Sequence, residues 1–142
     1  MGFLLDKCSF SPLDEEVIAG CRPFSCGNAD LDEFFQHDAP LYSKQMLGIN
    51  VDFAHRGIGS ELMEFIKSWF IDAGNKTGCR FLIVDAYNEE IPLGYYQKNG
   101  FTFLFSTENQ EAENTGFDKD TKLRTRLMYF DLISLVSEPE EE

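Results

Sequence analysis

Two glycines one residue apart, Gly57 and Gly59, stand at the head of a long amphipathic run, with Arg56 before them and Ile58 and Ser60 interleaved. A glycine turn that hands an extended segment over to a helix gathers backbone N–H groups at the positive end of the helix dipole, a ready site for phosphate. Arg56 could salt-bridge that phosphate or point to solvent, and the phosphate is the expectation. The turn fits neither common nucleotide loop. A dinucleotide fingerprint wants a third glycine where Leu62 stands, and a P-loop wants a Lys-Ser/Thr pair that does not follow. Asp85 and Glu89 are the acidic candidates for a general base near this stretch, but solvation is the better expectation for both. The two histidines, His37 and His55, have no partner that spacing identifies. Cys8, Cys21, Cys26 and Cys79 show no C-x-x-C spacing. They read as ordinary reduced thiols, and no metal site is expected.

The elements that must position these residues follow from pattern. Residues 60–73 carry Leu62, Phe65, Ile66, Trp69, Phe70 and Ala73 at helical spacing, closed by Gly74. Residues 46–53 (MLGINVDF) read as the strand leading into the glycine turn. Residues 79–86 (CRFLIVDA) are a continuous apolar run, which predicts a strand buried on both faces. A parallel, right-handed crossover over 46–86 follows from these three elements. A short helix over 91–98 is predicted to end at Gly100 as the residue after the cap. Strands follow at 101–105 and 124–133, separated by a polar, acidic stretch (107–122) that reads as a long exposed loop. Towards the N-terminus, 3–10 reads as a first strand. Asn28 or Asp30 offers a cap for a helix carrying Leu31, Phe34 and Phe35, Pro40 must break it, and 41–45 could form a second short helix.

Length and composition bound the rest. At 142 residues the chain is expected to form one domain over 1–136 that buries about 70% of its unfolded surface. The acidic tail, 137–142, is expected to be disordered. Fourteen Phe and five Tyr supply core material. The net charge of −13 opposes any broad grip on a nucleic-acid backbone. A local basic site around Arg56, Arg80 and Lys98 stays open. No signal peptide is expected, and no apolar run approaches the roughly 20 residues of a membrane helix. The reading is a cytoplasmic α/β protein with a mixed sheet flanked by helices.

The stretch 51–105 resembles the GNAT family of acetyl-CoA-dependent N-acyltransferases. That family's pyrophosphate loop, Gln/Arg-x-x-Gly-x-Gly/Ala at the start of a long helix, is matched by Gly57-Ile58-Gly59. Its second half, Asn…Phe-Tyr-x-x-x-Gly-Phe, is matched by Asn88 and by Tyr95-Tyr96-Gln97-Lys98-Asn99-Gly100-Phe101. The resemblance implies acetyl-CoA as co-substrate, with its pyrophosphate on the N–H groups of residues 56–60 and its pantetheine arm along the strand edge at Asn50 and Val51. Tyr96 falls at the position of the general acid that protonates the departing thiolate after a primary amine attacks the thioester. A packed tyrosine is the alternative. Asn88 either contacts the cofactor or makes a strand-end turn, and Tyr95 packs in the core. The opening Phe24-Ser25-Cys26-Gly27-Asn28-Ala29-Asp30-Leu31-Asp32-Glu33-Phe34-Phe35 resembles GNAT toxins of toxin–antitoxin pairs, which acetylate aminoacyl-tRNA and are neutralised by an antitoxin. The acceptor is thus a small-molecule, protein or aminoacyl-tRNA amine.

The chain departs from the family twice. Ala54 stands at the Gln/Arg position of the loop, and the antiparallel strands that precede the glycine turn are missing. The absent strands leave sheet edges for a partner chain to complete, by exchange in a homodimer. A degenerate module that binds CoA or a protein partner without turnover is the competing reading.

Overall fold

The strand in which burial alternates residue by residue, TRLMYFD, forms the centre of its sheet. A computed structural model describes residues 2–11, 14–38, 49–75 and 77–136. Among them three strands form one sheet: Phe81–Tyr87 (β1), Thr102–Phe103 (β2) and Thr125–Asp131 (β3), in the order β1–β3–β2. Both neighbours run antiparallel to β3, in a register that sets Val84 opposite Met128 and Phe103 also against Met128. β1 and β2 are therefore parallel to each other with β3 between them. The fold is mixed α/β on a small antiparallel sheet. The helices are Phe3–Lys7 (α1), Glu15–Gly20 (α2), Ala29–Glu33 (α3), Ile58–Ile71 (α4), Glu90–Lys98 (α5) and Glu108–Asn114 (α6). No described helix is long and apolar enough to cross a membrane.

The chain divides into two compact units, Met1–Leu62 and Met63–Glu142. In the first, short helices are set by their caps. The Asp14 carboxylate accepts the Val17 N–H at 2.8 Å and the Asn28 side chain accepts the Leu31 N–H at 3.2 Å, each satisfying a donor left open at a helix start. Asp32 on α3 then holds the preceding loop, accepting from Ser25 Oγ at 2.8 Å and from the Cys26 N–H at 2.7 Å. The Cys26 N–H is the main reason its carboxyl titrates below the ordinary value. That loop's contribution is present above the usual carboxylate pKa and is lost as pH falls through the lowered one. Phe35 meets Phe24 edge-on at 4.9 Å.

In the second unit Met63, Ala86, Phe101, Met128, Phe130 and Leu132 form the core, with Phe70, Leu82, Val84 and Leu93 packed on it. The polar groups inside are all tied. Lys67, buried on α4, donates from Nζ to the Asn99 carbonyl at 2.6 Å and lies 4.1 Å over the Phe130 ring. Glu111, buried on α6, takes the Arg126 Nε–H and the Leu127 N–H, each at 2.6 Å, while the Arg126 guanidinium covers Phe103.

Five expectations are corrected. Residues 3–7 are helical: FLLDK has no β-branched residue, and the Glu61 carboxylate accepts the Leu4 N–H at 3.0 Å, closing the helix start. Val51–Phe53 is a 3₁₀ turn and not the end of a strand, so no parallel crossover leads from it to β1. The start of that predicted strand (46–48), the helix at 41–45 and the tail at 137–142 lie outside the described residues. β1 is buried on one face only: Leu82, Val84 and Ala86 turn inward while Phe81 and Ile83 are 47% and 61% exposed. An apolar residue at an outward position made the run look continuous. The predicted loop at 107–122 contains α6, whose signal is a Thr-x-x-Gln capping pattern: Thr107 Oγ1 accepts the Gln110 N–H at 3.1 Å, and Gln110 Oε1 accepts the Ser106 N–H at 3.2 Å. On α4, finally, the buried residues are Ile58, Met63 and Lys67, with Phe70 packed on the core, whereas Phe65 and Trp69 are exposed.

Replacing Glu111 by Ala strands the buried Arg126 charge. We expect a loss of about 3–5 kcal/mol in urea unfolding, against almost none for the exposed Glu113→Ala control.

Candidate functional site

The predicted anion site is built from the turn before α4. His55 and Gly57 both adopt positive φ, 59° and 78°, which swings the chain into the helix. Gly57 then takes the capping position, its carbonyl accepting the Glu61 N–H at 3.1 Å. A side chain at Gly57 would meet nothing within 4 Å, so glycine is required there by backbone conformation rather than by crowding. Arg56 is exposed, with its guanidinium 5.5 Å from the Phe53 ring, and Phe53 in turn leans on Phe3 at 5.9 Å. An aromatic shelf thus holds the one arginine next to the helix start. Ile58 is buried, and Gly59 and Ser60 are half-buried in the first turn. Arg56, Gly57, Ile58, Gly59 and Ser60 are brought together at one helix end, where the dipole favours an anion. Glu61 in the same turn is an opposing charge, but its carboxylate is engaged by the Leu4 N–H and packs against Gly2.

Val51 does not offer a strand edge. Its N–H donates to the Ser25 carbonyl at 2.6 Å. The next three N–H groups are also used: Asp52 by Asn50 Oδ1, Phe53 by the Asn50 carbonyl and Ala54 by the Val51 carbonyl. The residues fit a phosphate better than they fit an extended pantetheine arm.

Asn88 and Tyr96 belong to the second unit. The Asn88 side-chain amide donates to Glu108 Oε1 and to the Leu123 carbonyl, each at 2.8 Å, and its N–H donates to the Arg124 carbonyl. It pins the start of α6 and the approach to β3 to the end of β1, a strand-end role.

Tyr96 owes its place to the end of α5. The Phe101 N–H donates to the Tyr96 carbonyl and the Gly100 N–H to the Gln97 carbonyl, both at 3.0 Å, with Gly100 at φ 86°. This is a Schellman closure, and its usual apolar contact is the Tyr96 ring against Phe101 at 5.4 Å. The spacing Tyr-x-x-x-Gly-Phe is therefore accounted for by helix termination before any chemistry is invoked. Tyr96 also meets Tyr95 edge-on at 5.1 Å. Burial raises both phenols, Tyr95 to about 12 with the neighbouring Tyr96 contributing, so both stay protonated at neutral pH.

Asp85 and Glu89 are exposed, and no group of side chains suited to a metal ion occurs among the described residues. The buried charged residues that pattern reading missed are Lys67, Glu111 and its partner Arg126. The first was masked by the apolar stripe around it and the second by the acidity of its neighbours. No protein-family model, curated protein or solved structure matches this chain.

Substituting alanine at the two positive-φ glycines separates conformation from contact. Gly57→Ala should cost only the left-handed conformation, about 1–2 kcal/mol. Gly100→Ala should cost more, because its Cβ would lie 2.9 Å from Phe130. Urea midpoints of the two variants measure the difference.

Proposed function

We propose that the chain is an acetyl-CoA-dependent N-acetyltransferase of the GNAT type, cytoplasmic, with a reduced version of that family's sheet. The observation that carries the proposal is the glycine turn. Gly57 enters α4 through a conformation only glycine adopts cheaply, in open space, with Arg56 beside it. That arrangement suits the pyrophosphate of a CoA ester. The residue order supports the same reading, since Tyr96 on α5 follows the turn at the separation the resemblance requires.

In this proposal a neutral primary amine attacks the thioester carbonyl. The C–S bond breaks as the C–N bond forms, the amine loses its extra proton to solvent, and Tyr96 delivers its phenolic proton to the departing thiolate. A half-buried phenol held above its ordinary value of 10.0 is fully protonated in the working range, and the thiolate it serves is of comparable basicity. The acceptor is an amine on a small molecule, a protein or an aminoacyl-tRNA, the last of which would come with an antitoxin partner. The charge of −13 is least suited to tRNA.

A second reading is favoured by the geometry at Val51 and Asn88. Their hydrogen-bonding groups are occupied within the chain, which suits a module that binds CoA without turnover.

Calorimetric titration with acetyl-CoA tests the common premise. We expect binding in the micromolar range, weakened by Arg56→Ala, and absence of binding at millimolar cofactor would sink both readings. Turnover with an amine acceptor then separates them. Tyr96→Phe keeps the ring contact with Phe101 and should keep both stability and cofactor binding while reducing kcat by about 10²-fold or more. If activity is present, its alkaline limb should lie above pH 10, because burial raises the phenol. A module without turnover shows binding and no product in either chain.

A further inference from the structure

Among the described residues β1 has one neighbouring strand and one open edge. Two hydrogen bonds extend its ladder with β3 beyond both ends: Leu132 N–H to the Arg80 carbonyl at 2.8 Å and Asn88 N–H to the Arg124 carbonyl at 3.0 Å. In an antiparallel pair such bonds recur at every second residue. The even-numbered residues of β1 therefore bond to β3, and Phe81, Ile83, Asp85 and Tyr87 direct their N–H and C=O groups to the other side. Among the described residues no strand lies there. Among the described residues only the Tyr87 carbonyl has another acceptor role, to the Glu89 N–H at 2.8 Å. The strand's own residues offer little of the usual protection of an edge. Phe81–Tyr87 contains no proline, no lysine and a single charge, Asp85, and two of its outward side chains are apolar and exposed.

We propose that this edge pairs with the β1 edge of a second copy of the chain, antiparallel about a two-fold axis through Val84. This is the one symmetric register that pairs all seven residues. It joins the outward-bonding residues to each other, Phe81 with Tyr87 of the second copy and Ile83 with Asp85 of the second copy, as an antiparallel ladder requires. Phe81 and Tyr87 form a cross-strand aromatic pair. Asp85 lies opposite isoleucine, so the two Asp85 carboxylates never face each other, whereas a register centred on Asp85 would set them directly opposite. Two three-stranded sheets become one sheet of six strands. This inference rests on the β1 geometry alone and is independent of any acyl transfer.

Each chain carries −13, so the copies repel, and added salt should favour the pair. Sedimentation velocity on the full chain over a concentration series, at low and high salt, should show a monomer–dimer equilibrium shifting to dimer as salt rises. Ile83→Pro removes one outward N–H and no bond to β3. Ile83→Asp sets carboxylates opposite each other at both symmetric positions. Each variant should lose the dimer at all concentrations while its circular dichroism stays that of the parent. In a chain whose four native cysteines are serine, Val84→Cys should form a disulfide-linked dimer on mild oxidation. The pair on the axis is non-hydrogen-bonded, with Cα atoms about 4.5 Å apart, inside disulfide range. Ile83→Cys, which faces Asp85 of the second copy, should not cross-link to a comparable extent. A monomer at every concentration and salt overturns the proposal. So does a dimer that survives both Ile83 variants and fails to cross-link through Val84→Cys.

Discussion

The second unit depends on how α5 is closed. Its last carbonyls would be left bare against an apolar core, and three things prevent that. Gly100 turns the chain into the left-handed region, so that two N–H groups fold back onto Tyr96 and Gln97. Phe101 then enters the core against the Tyr96 ring. Lys67 arrives from α4 to bond the Asn99 carbonyl while its ammonium rests on Phe130. A buried ammonium at a helix C-terminus is stabilised by the dipole and by the ring face, which together offset part of its desolvation. The same closure fixes the only phenol with a proposed chemical role. The position proposed for chemistry and the termination of the helix coincide here, and a variant that disturbs Gly100 disturbs both.

A second buried charge performs the matching task on the other side of β3. Glu111 bonds the Leu127 backbone where the ladder to β2 is short, and the Arg126 it pairs with roofs Phe103. Asn88 fastens the start of the same helix through Glu108. A strand of two residues has little ladder of its own. α6 supplies from side chains the bonding that a longer strand would have supplied from backbone.

Pattern reading recovered the elements whose signal is local. The Asn28 cap, α4, α5 with Gly100 after its cap, and β1 and β3 all stand within two residues or so of their expected bounds. It failed where the deciding contact is remote in sequence. Phe3–Lys7 is closed by Glu61, which no window around residue 3 contains. Lys67 is buried because Asn99 needs a donor, a fact carried by the far end of another helix. The 3₁₀ turn at Val51 depends on a carbonyl at Ser25. α6 is different: its capping pattern is legible in Thr107 and Gln110, beneath the acidity of the residues around them. For the site, the glycine turn was legible because positive φ is written in residue type. The engagement of Asn88 was not, since an asparagine after a strand reads alike whether it serves a ligand or its own chain.

The chain has a single tryptophan, Trp69, and it sits on the outer side of α4 at 49% exposure, edge-on to Phe70. Its indole is half solvated before any unfolding begins. Emission from Trp69 will therefore start red-shifted and change little when the sheet melts, whereas the half-buried Tyr95–Tyr96 pair on α5, packed against the core, carries its optical record. An experimenter following tryptophan alone would see a nearly silent transition. Near-ultraviolet dichroism in the tyrosine band is the signal that this arrangement of aromatics makes informative.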